Sequence, residues 1–251
     1  MNQNYNYILG CTLFISLIII QSAHASPDYA REARWANEVI PSILVGEPIY
    51  LPQPNGHNFL GLYSTSEQKN IGLVIAHGMG LHPNWDLIGV LRQRLNDFGY
   101  TTLSIQMPVL EATAGFDDYP KIFPDAVERL QIAVNYLKQQ GFKHIVLVSH
   151  SNGSRMSRIF MTSKPENVDA WIAISLTRNE TFKGVNVPVF DLYGENDLPH
   201  VLSSIKQRRK SFNSNSASRQ MVVKGAGHFY VGQEEAMVDA VKLYLDKLKF
   251  N

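Results

Sequence analysis

Four short segments of this chain follow apolar runs and carry residue types that can do chemistry together. Val146-Leu147-Val148-Ser149-His150-Ser151-Asn152-Gly153 passes from an apolar strand into Ser-x-Ser-x-Gly, and a helix-like segment through Arg155, Met156 and Phe160 follows. Residues 72–76 end in His77-Gly78-Met79-Gly80, and residues 188–193 lead into Gly194-Glu195-Asn196-Asp197. Val223-Lys224-Gly225-Ala226-Gly227-His228 closes in a glycine-rich loop bearing a histidine. A serine hydroxyl is a weak nucleophile until a base takes its proton and a third group orients that base. Serine, aspartate and histidine, in that order, supply those types. Each segment alone also reads as a plain polar or glycine-rich turn; four in sequence are far more specific.

The elements around them must place these residues at one edge of a sheet. Residues 48–51 and 59–63 flank Pro54-Asn55-Gly56-His57, a turn-rich stretch that predicts a hairpin. Residues 72–76, 101–105, 144–148, 171–175, 187–193 and 221–223 read as further strands, several of them continuous apolar runs as in strands buried on both faces. Leu87, Leu91, Leu95 and Phe98 fall at helical spacing before Gly99, as do Val127, Leu130, Val134 and Leu137 before Gly141. Met237, Val241, Tyr244 and Leu248 mark a last helix, and a short one is expected within residues 26–39. Alternating strands and helices predict an α/β domain with a mainly parallel sheet covered on both sides.

Together the motifs resemble the α/β-hydrolase family, over roughly residues 48–248. The Ser-x-Ser-x-Gly segment is similar to that family's nucleophile elbow, and the order serine, aspartate, histidine is the family's order. The resemblance implies Ser151 as nucleophile, His228 as base and Asp197 as the acid of a catalytic triad, with the backbone N–H groups of Met79 and Asn152 as the oxyanion hole. Ser149 departs from the pattern, standing where the family usually has glycine. Asp191, inside its strand, reads as structural and is the alternative acid. Among the other histidines, His77 belongs to the oxyanion loop, and His82, His150 and His200 read as structural or rim residues. The stretch from His77 through His82-Pro83-Asn84-Trp85-Asp86 to Gln106-Met107-Pro108 is similar to an exported proteobacterial branch known as a domain of unknown function.

The implied activity is that of a serine hydrolase, esterase- or thioesterase-like, acting through an acyl-enzyme on a small acyl substrate. It needs no metal and no organic cofactor. Two alternatives stand beside it: a catalytically silent scaffold that binds a ligand or envelope partner, and an acyltransferase. About residues 177–186 separate two strands where many relatives insert a helical lid, so no large lid is expected. The loop 109–123 carries Phe116, Tyr119 and Phe123, which either line an acyl pocket or pack against the core.

With 251 residues, 45% of them apolar and 18% charged, the chain suits one packed domain. A net charge of +1 gives no general attraction to nucleic acid or anionic membranes. The cluster Lys206, Arg208, Arg209 and Lys210 reads as the solvated face of a helix. Residues 1–25 read as a signal peptide: the apolar run 8–20 is short for a bilayer span, and Ala23-His24-Ala25 offers a small-x-small cleavage site. Residues 26–251 then form a single periplasmic or secreted domain, with no stable membrane insertion after cleavage. Residues 1–7 contain no Lys or Arg, so an uncleaved amino-terminal anchor is the alternative. Cys11 is the only cysteine, and cleavage after Ala25 removes it, excluding disulfides and thiol chemistry. Intact-mass measurement of envelope fractions is expected to give a soluble species starting at Ser26; a full-length, membrane-retained chain overturns this.

Overall fold

A strand can be apolar along its whole length only if both faces are covered, since successive side chains point to opposite sides. The computed structural model describes residues 26–67, 70–163, 165–212 and 217–250, and its sheet meets that condition. After the helix α1 (Tyr29–Val39) come the strands β1 (Glu47–Pro52), β2 (Asn58–Ser64) and β3 (Ile71–Ala76). Helix α2 (Asp86–Asp97), β4 (Thr101–Ile105), helix α3 (Phe123–Gln139) and β5 (His144–His150) follow. Next are α4 (Asn152–Thr162), β6 (Ala170–Ile174) and β7 (Val189–Asn196). Two short helices, α5 (Pro199–Leu202) and α6 (Ile205–Lys210), precede β8 (Arg219–Gly227) and α7 (Glu234–Leu245).

The eight strands form one sheet in the order β1-β2-β4-β3-β5-β6-β7-β8. β1 and β2 are an antiparallel hairpin, β2 is antiparallel to β4, and every pair from β4 to β8 is parallel. Leu73, Ile75, Val146 and Val148 enter one core with the apolar stripes of α2 and α7. Val74, Ala76, Ile145 and Leu147 enter the other, beneath α3 and α4. No described helix is long and apolar enough to cross a membrane.

Two strands differ most from the sequence expectation. β8 runs over nine residues and not three, because it is an edge strand whose side chains are largely exposed and give no continuous apolar run. β7 begins two residues later than expected and continues to Asn196, past Gly194, with a register irregularity against β8. A Cβ on Gly194 would lie 2.4 Å from the carbonyl oxygen of Ala226, so only glycine permits the two strands to approach there. α1 begins at Tyr29, where Asp28 accepts a hydrogen bond from the Arg31 N–H as its cap.

The basic cluster on α6 also departs from expectation. Lys206, Arg209 and Lys210 are exposed, but Arg208 is fully buried and its Nε–H donates to both carboxylate oxygens of Asp191, at 3.0 and 2.8 Å. Asp191 also accepts from Gln220 Nε2 at 2.7 Å, so its carboxylate is held in a sealed structural pair. Removing one partner of such a pair leaves the other charge buried and uncompensated, at a cost of about 3–5 kcal/mol. Asp191→Asn is therefore expected to lower the unfolding free energy by about that amount in urea titrations. A loss within about 0.5 kcal/mol, the range of ordinary surface substitutions, counts against this role.

Candidate active site

The carboxyl-terminal ends of β3, β5, β6 and β7 converge on Ser151. This residue sits between β5 and α4 with φ 56° and ψ −125°, a left-handed conformation that costs a non-glycine residue on the order of 1–3 kcal/mol. Neighbouring hydrogen bonds hold it there. The Ser151 N–H donates to the Ile174 carbonyl at 2.9 Å, and Ser154 Oγ donates to the Ser149 carbonyl at 2.8 Å. A Cβ on Gly153 would stand 2.2 Å from the His77 carbonyl oxygen and 2.8 Å from that of Ala76, so α4 can start this close to β3 only with glycine at that position.

Ser149 fits the turn for a specific reason. Its Oγ accepts the indole N–H of Trp171 at 2.8 Å, and both residues are buried. The side chain that departs from the family pattern thus satisfies a buried donor on β6.

His228, in the turn after β8, faces Ser151 with Nε2 2.8 Å from the Ser151 Oγ. Its Nδ1 lies 2.6 Å from Asp197 Oδ1. A carboxylate only accepts, so Nδ1 carries the proton and Nε2 is free to accept from the serine hydroxyl. Asp197, directly after β7, also accepts from the Leu198 N–H at 2.7 Å, from Ser175 Oγ at 2.5 Å and from the Gly194 N–H at 3.3 Å. Burial by itself pushes the Asp197 carboxyl up; the hydrogen bonds from His228, Ser175 and the Leu198 N–H outweigh it and hold the group below the usual carboxylate value.

The loop after β3 is stapled by His77. This buried ring donates from Nδ1 to the Gly78 carbonyl at 2.8 Å and accepts the Met107 N–H on Nε2 at 2.9 Å. Burial pushes its pKa down to about 3, so it stays neutral. The Gly78 carbonyl and the Met79 N–H share one trans peptide and point in opposite directions; fixing one aims the other. The Met79 N–H and the Asn152 N–H, the first of α4, donate to no backbone acceptor among the described residues. Both are candidates to receive an oxyanion.

Sequence comparison matches no family model and no curated protein. Among solved structures, the chain is similar to a lid-less α/β serine hydrolase from Xanthomonas campestris, at 14% identity and TM-score 0.65, covering 82% of this chain and 95% of that one. It is also similar to Est1E from Butyrivibrio proteoclasticus with ferulic acid bound, at 16% identity and TM-score 0.66, over 78% and 97% of the two chains. A third likeness is to an α/β serine hydrolase homologue from Coxiella burnetii, at 16% identity and TM-score 0.62, over 82% and 99%. The chain has the α/β-hydrolase fold.

Within this α/β-hydrolase fold, residues 175–188 between β6 and β7 contain no helix, so no lid arises there. Ser151 opens on a cavity of about 170 Å³ lined mainly by Met79, Leu81, Phe116, Leu198, His200 and Phe229. The loop 109–123 divides its aromatic residues: Phe116 lines the cavity, whereas Tyr119 and Phe123 are buried in the core under α3. His82 is half-buried beside Trp35, outside the site.

Three supporting residues were not singled out for these roles from sequence. His150 Nε2 donates to the His228 carbonyl at 2.9 Å, beneath the imidazole it supports; burial lowers its pKa to about 3. Ser175 bridges Asp197 and the buried Tyr230 hydroxyl, 3.2 Å away. His150 had a signal in its place next to Ser151; Ser175 and Tyr230 had none, because their roles arise only when β6, β7 and the turn after β8 meet. Ser149→Ala is expected to strand the Trp171 N–H and lower stability by about 1–3 kcal/mol in chemical denaturation. Gly153→Ala, which meets backbone and not a movable side chain, should lose more; equal stability to wild type would show that the elbow does not rest on this contact.

Proposed function

We propose that the protein is a serine hydrolase that cleaves ester or thioester bonds through an acyl-enzyme on Ser151. The observation that carries this reading is the unbroken hydrogen-bond chain from Ser151 Oγ through both nitrogens of His228 to Asp197, next to an apolar cavity. In the first step Ser151 Oγ attacks the acyl carbonyl while His228 Nε2 takes the hydroxyl proton. The carbonyl oxygen becomes an oxyanion, stabilised by the Met79 and Asn152 N–H groups. Collapse of the intermediate breaks the bond to the alcohol or thiol, which leaves with the proton from His228. Water then attacks the acyl-enzyme, giving its proton to the same nitrogen, and the acid is released as Ser151 regains its hydrogen.

Hydrolysis is favoured over acyl transfer by the access that water has to the cavity rim. Leu198 and Phe229 are 39% and 43% exposed, and no lid arises between β6 and β7 to keep water from the acyl-enzyme. The hydrolase names of the structural neighbours are in keeping with this reading. We further propose that the protein works outside the cytoplasm. The support is the apolar run and cleavage pattern within residues 1–25, which lie outside the described residues, and the integration of the chain from Asp28 onward, whose N–H donates to the Val109 carbonyl at 2.7 Å.

A fluorophosphonate probe, which reacts with an activated serine, is expected to label the wild-type protein and not Ser151→Ala. Asp197→Asn keeps the shape but removes the charge and allows the wrong imidazole tautomer. In a serine protease the corresponding change lowers kcat by about 10⁴, and a loss of roughly three to four orders on a generic ester is expected here. A wild-type protein that is folded yet neither labels nor turns over esters would instead support the silent-scaffold alternative.

A further inference from the structure

Thr177, in the turn after β6, lines the cavity beside Ser151 and is only 1% exposed, yet its Oγ1 meets no hydrogen-bond partner among the described residues. Across the same cavity the Nε2 of His200, on α5, is also buried and unpartnered. Buried polar atoms in folded proteins are nearly always satisfied, so two orphans in one mainly apolar cavity ask for a partner from outside the chain.

The backbone fixes Thr177. Ser175 and Arg178, on either side of Thr177, have φ of 51° and 63°. Ser175 is bonded to Asp197, and the Arg178 carbonyl accepts from Ser204 Oγ at 3.3 Å. Thr177 is therefore carried on the same short turn that anchors the acid of the site. Burial, with the nearby charge of Arg178, pushes the His200 imidazole below its usual value and so favours the neutral ring. Each of the two groups can then donate or accept one hydrogen bond.

The chemistry of the partner follows. Arg155 and Arg178 stack on the Phe116 ring, 4.8 and 4.7 Å from its centroid, but they are ion-paired to Glu180 and Asp117. A carboxylate buried at the two orphan atoms would find no free cation among the described residues lining the cavity to offset its desolvation. A hydroxyl, which donates to one neutral group and accepts from another, matches them. The volume of about 170 Å³ lies well below the roughly 300–1,000 Å³ of pockets for drug-sized ligands, so the group is short.

We propose that Thr177 and His200 form a specificity subsite for short esters that bear a hydroxyl close to the scissile carbonyl, in the acyl or the alcohol part. This rests on the hydrolase reading of Ser151, and it deepens that reading by naming a substrate class.

Two substrate pairs test it: methyl 3-hydroxybutyrate against methyl butyrate for the acyl part, and 2-hydroxyethyl acetate against ethyl acetate for the alcohol part. Each kcat/KM is divided by the ester's alkaline hydrolysis rate. The wild-type protein is expected to favour the hydroxylated member of one pair by about 5–10-fold, the worth of one neutral hydrogen bond. Thr177→Val, which keeps the shape without the hydroxyl, should bring that ratio close to one, with thermal melts confirming that the variant is folded. Both ratios near one in the wild type, or a ratio unchanged in folded Thr177→Val, overturns the subsite. A second arm needs no turnover: the same four esters are titrated into Ser151→Ala, with and without Thr177→Val, and followed by NMR. Tighter binding of a hydroxylated ester that vanishes with Thr177→Val supports the subsite even if no ester is hydrolysed. Equal binding within both pairs overturns it, while probe labelling of Ser151 judges the hydrolase reading separately.

Discussion

α4 approaches the end of β3 so closely that Gly153 leaves no room for a side chain against the Ala76 and His77 carbonyls. That approach forces the chain to reverse within one residue, and Ser151 takes the left-handed conformation that results. Because the strain falls on Ser151, its hydroxyl is lifted off the sheet towards His228. The same contact brings the first N–H of α4 beside the loop that carries Met79, so Ser151 and these candidate oxyanion donors are set by one packing constraint. Dense packing allows no gradual relaxation of such a contact, which is why a single methyl group is expected to matter.

Two aspartates six positions apart on one segment illustrate how environment assigns role. Asp191 lies inside β7, sealed against Arg208 and Gln220, where its charge is fully committed to holding α6 on the sheet. Asp197 lies just past the end of β7, where four donors hold its carboxylate and one of them is the His228 ring. Ser175, Tyr230 and His150 add a supporting layer that keeps both Asp197 and the backbone of His228 in place. Preorganised donors of this kind do not have to reorient when charge develops.

A second layer of support reaches the loop after β3 from the far side. Arg129, on α3, is fully buried and binds Glu32 on α1, Gln53 after β1 and the Gln106 carbonyl. Gln106 Nε2 in turn lies 3.0 Å from the His77 Nε2. The amino-terminal helix is thereby tied through polar contacts to the ring that aims the Met79 N–H, although it contributes no residue to the cavity.

The sequence by itself determined the architecture wherever burial imposes a pattern. β3 and β5 are legible because strands covered on both faces must be apolar throughout, and α2, α3 and α7 because each buries one stripe. The grouping of Ser151, Asp197 and His228 was legible because each follows a strand in a short motif with glycine where the backbone must bend or come close. β8 was legible only in part, since an exposed edge strand obeys no such pattern. Tertiary structure alone decided the rest. Arg208 looked like part of a solvated face until α6 docked it on Asp191, and Ser149 looked like a departure until β6 brought Trp171 above it. Ser175, Thr177, Tyr230 and His200 carry no local signature, because a hydrogen-bonding side chain acquires its role from partners that are distant in the chain and adjacent only after the sheet has formed.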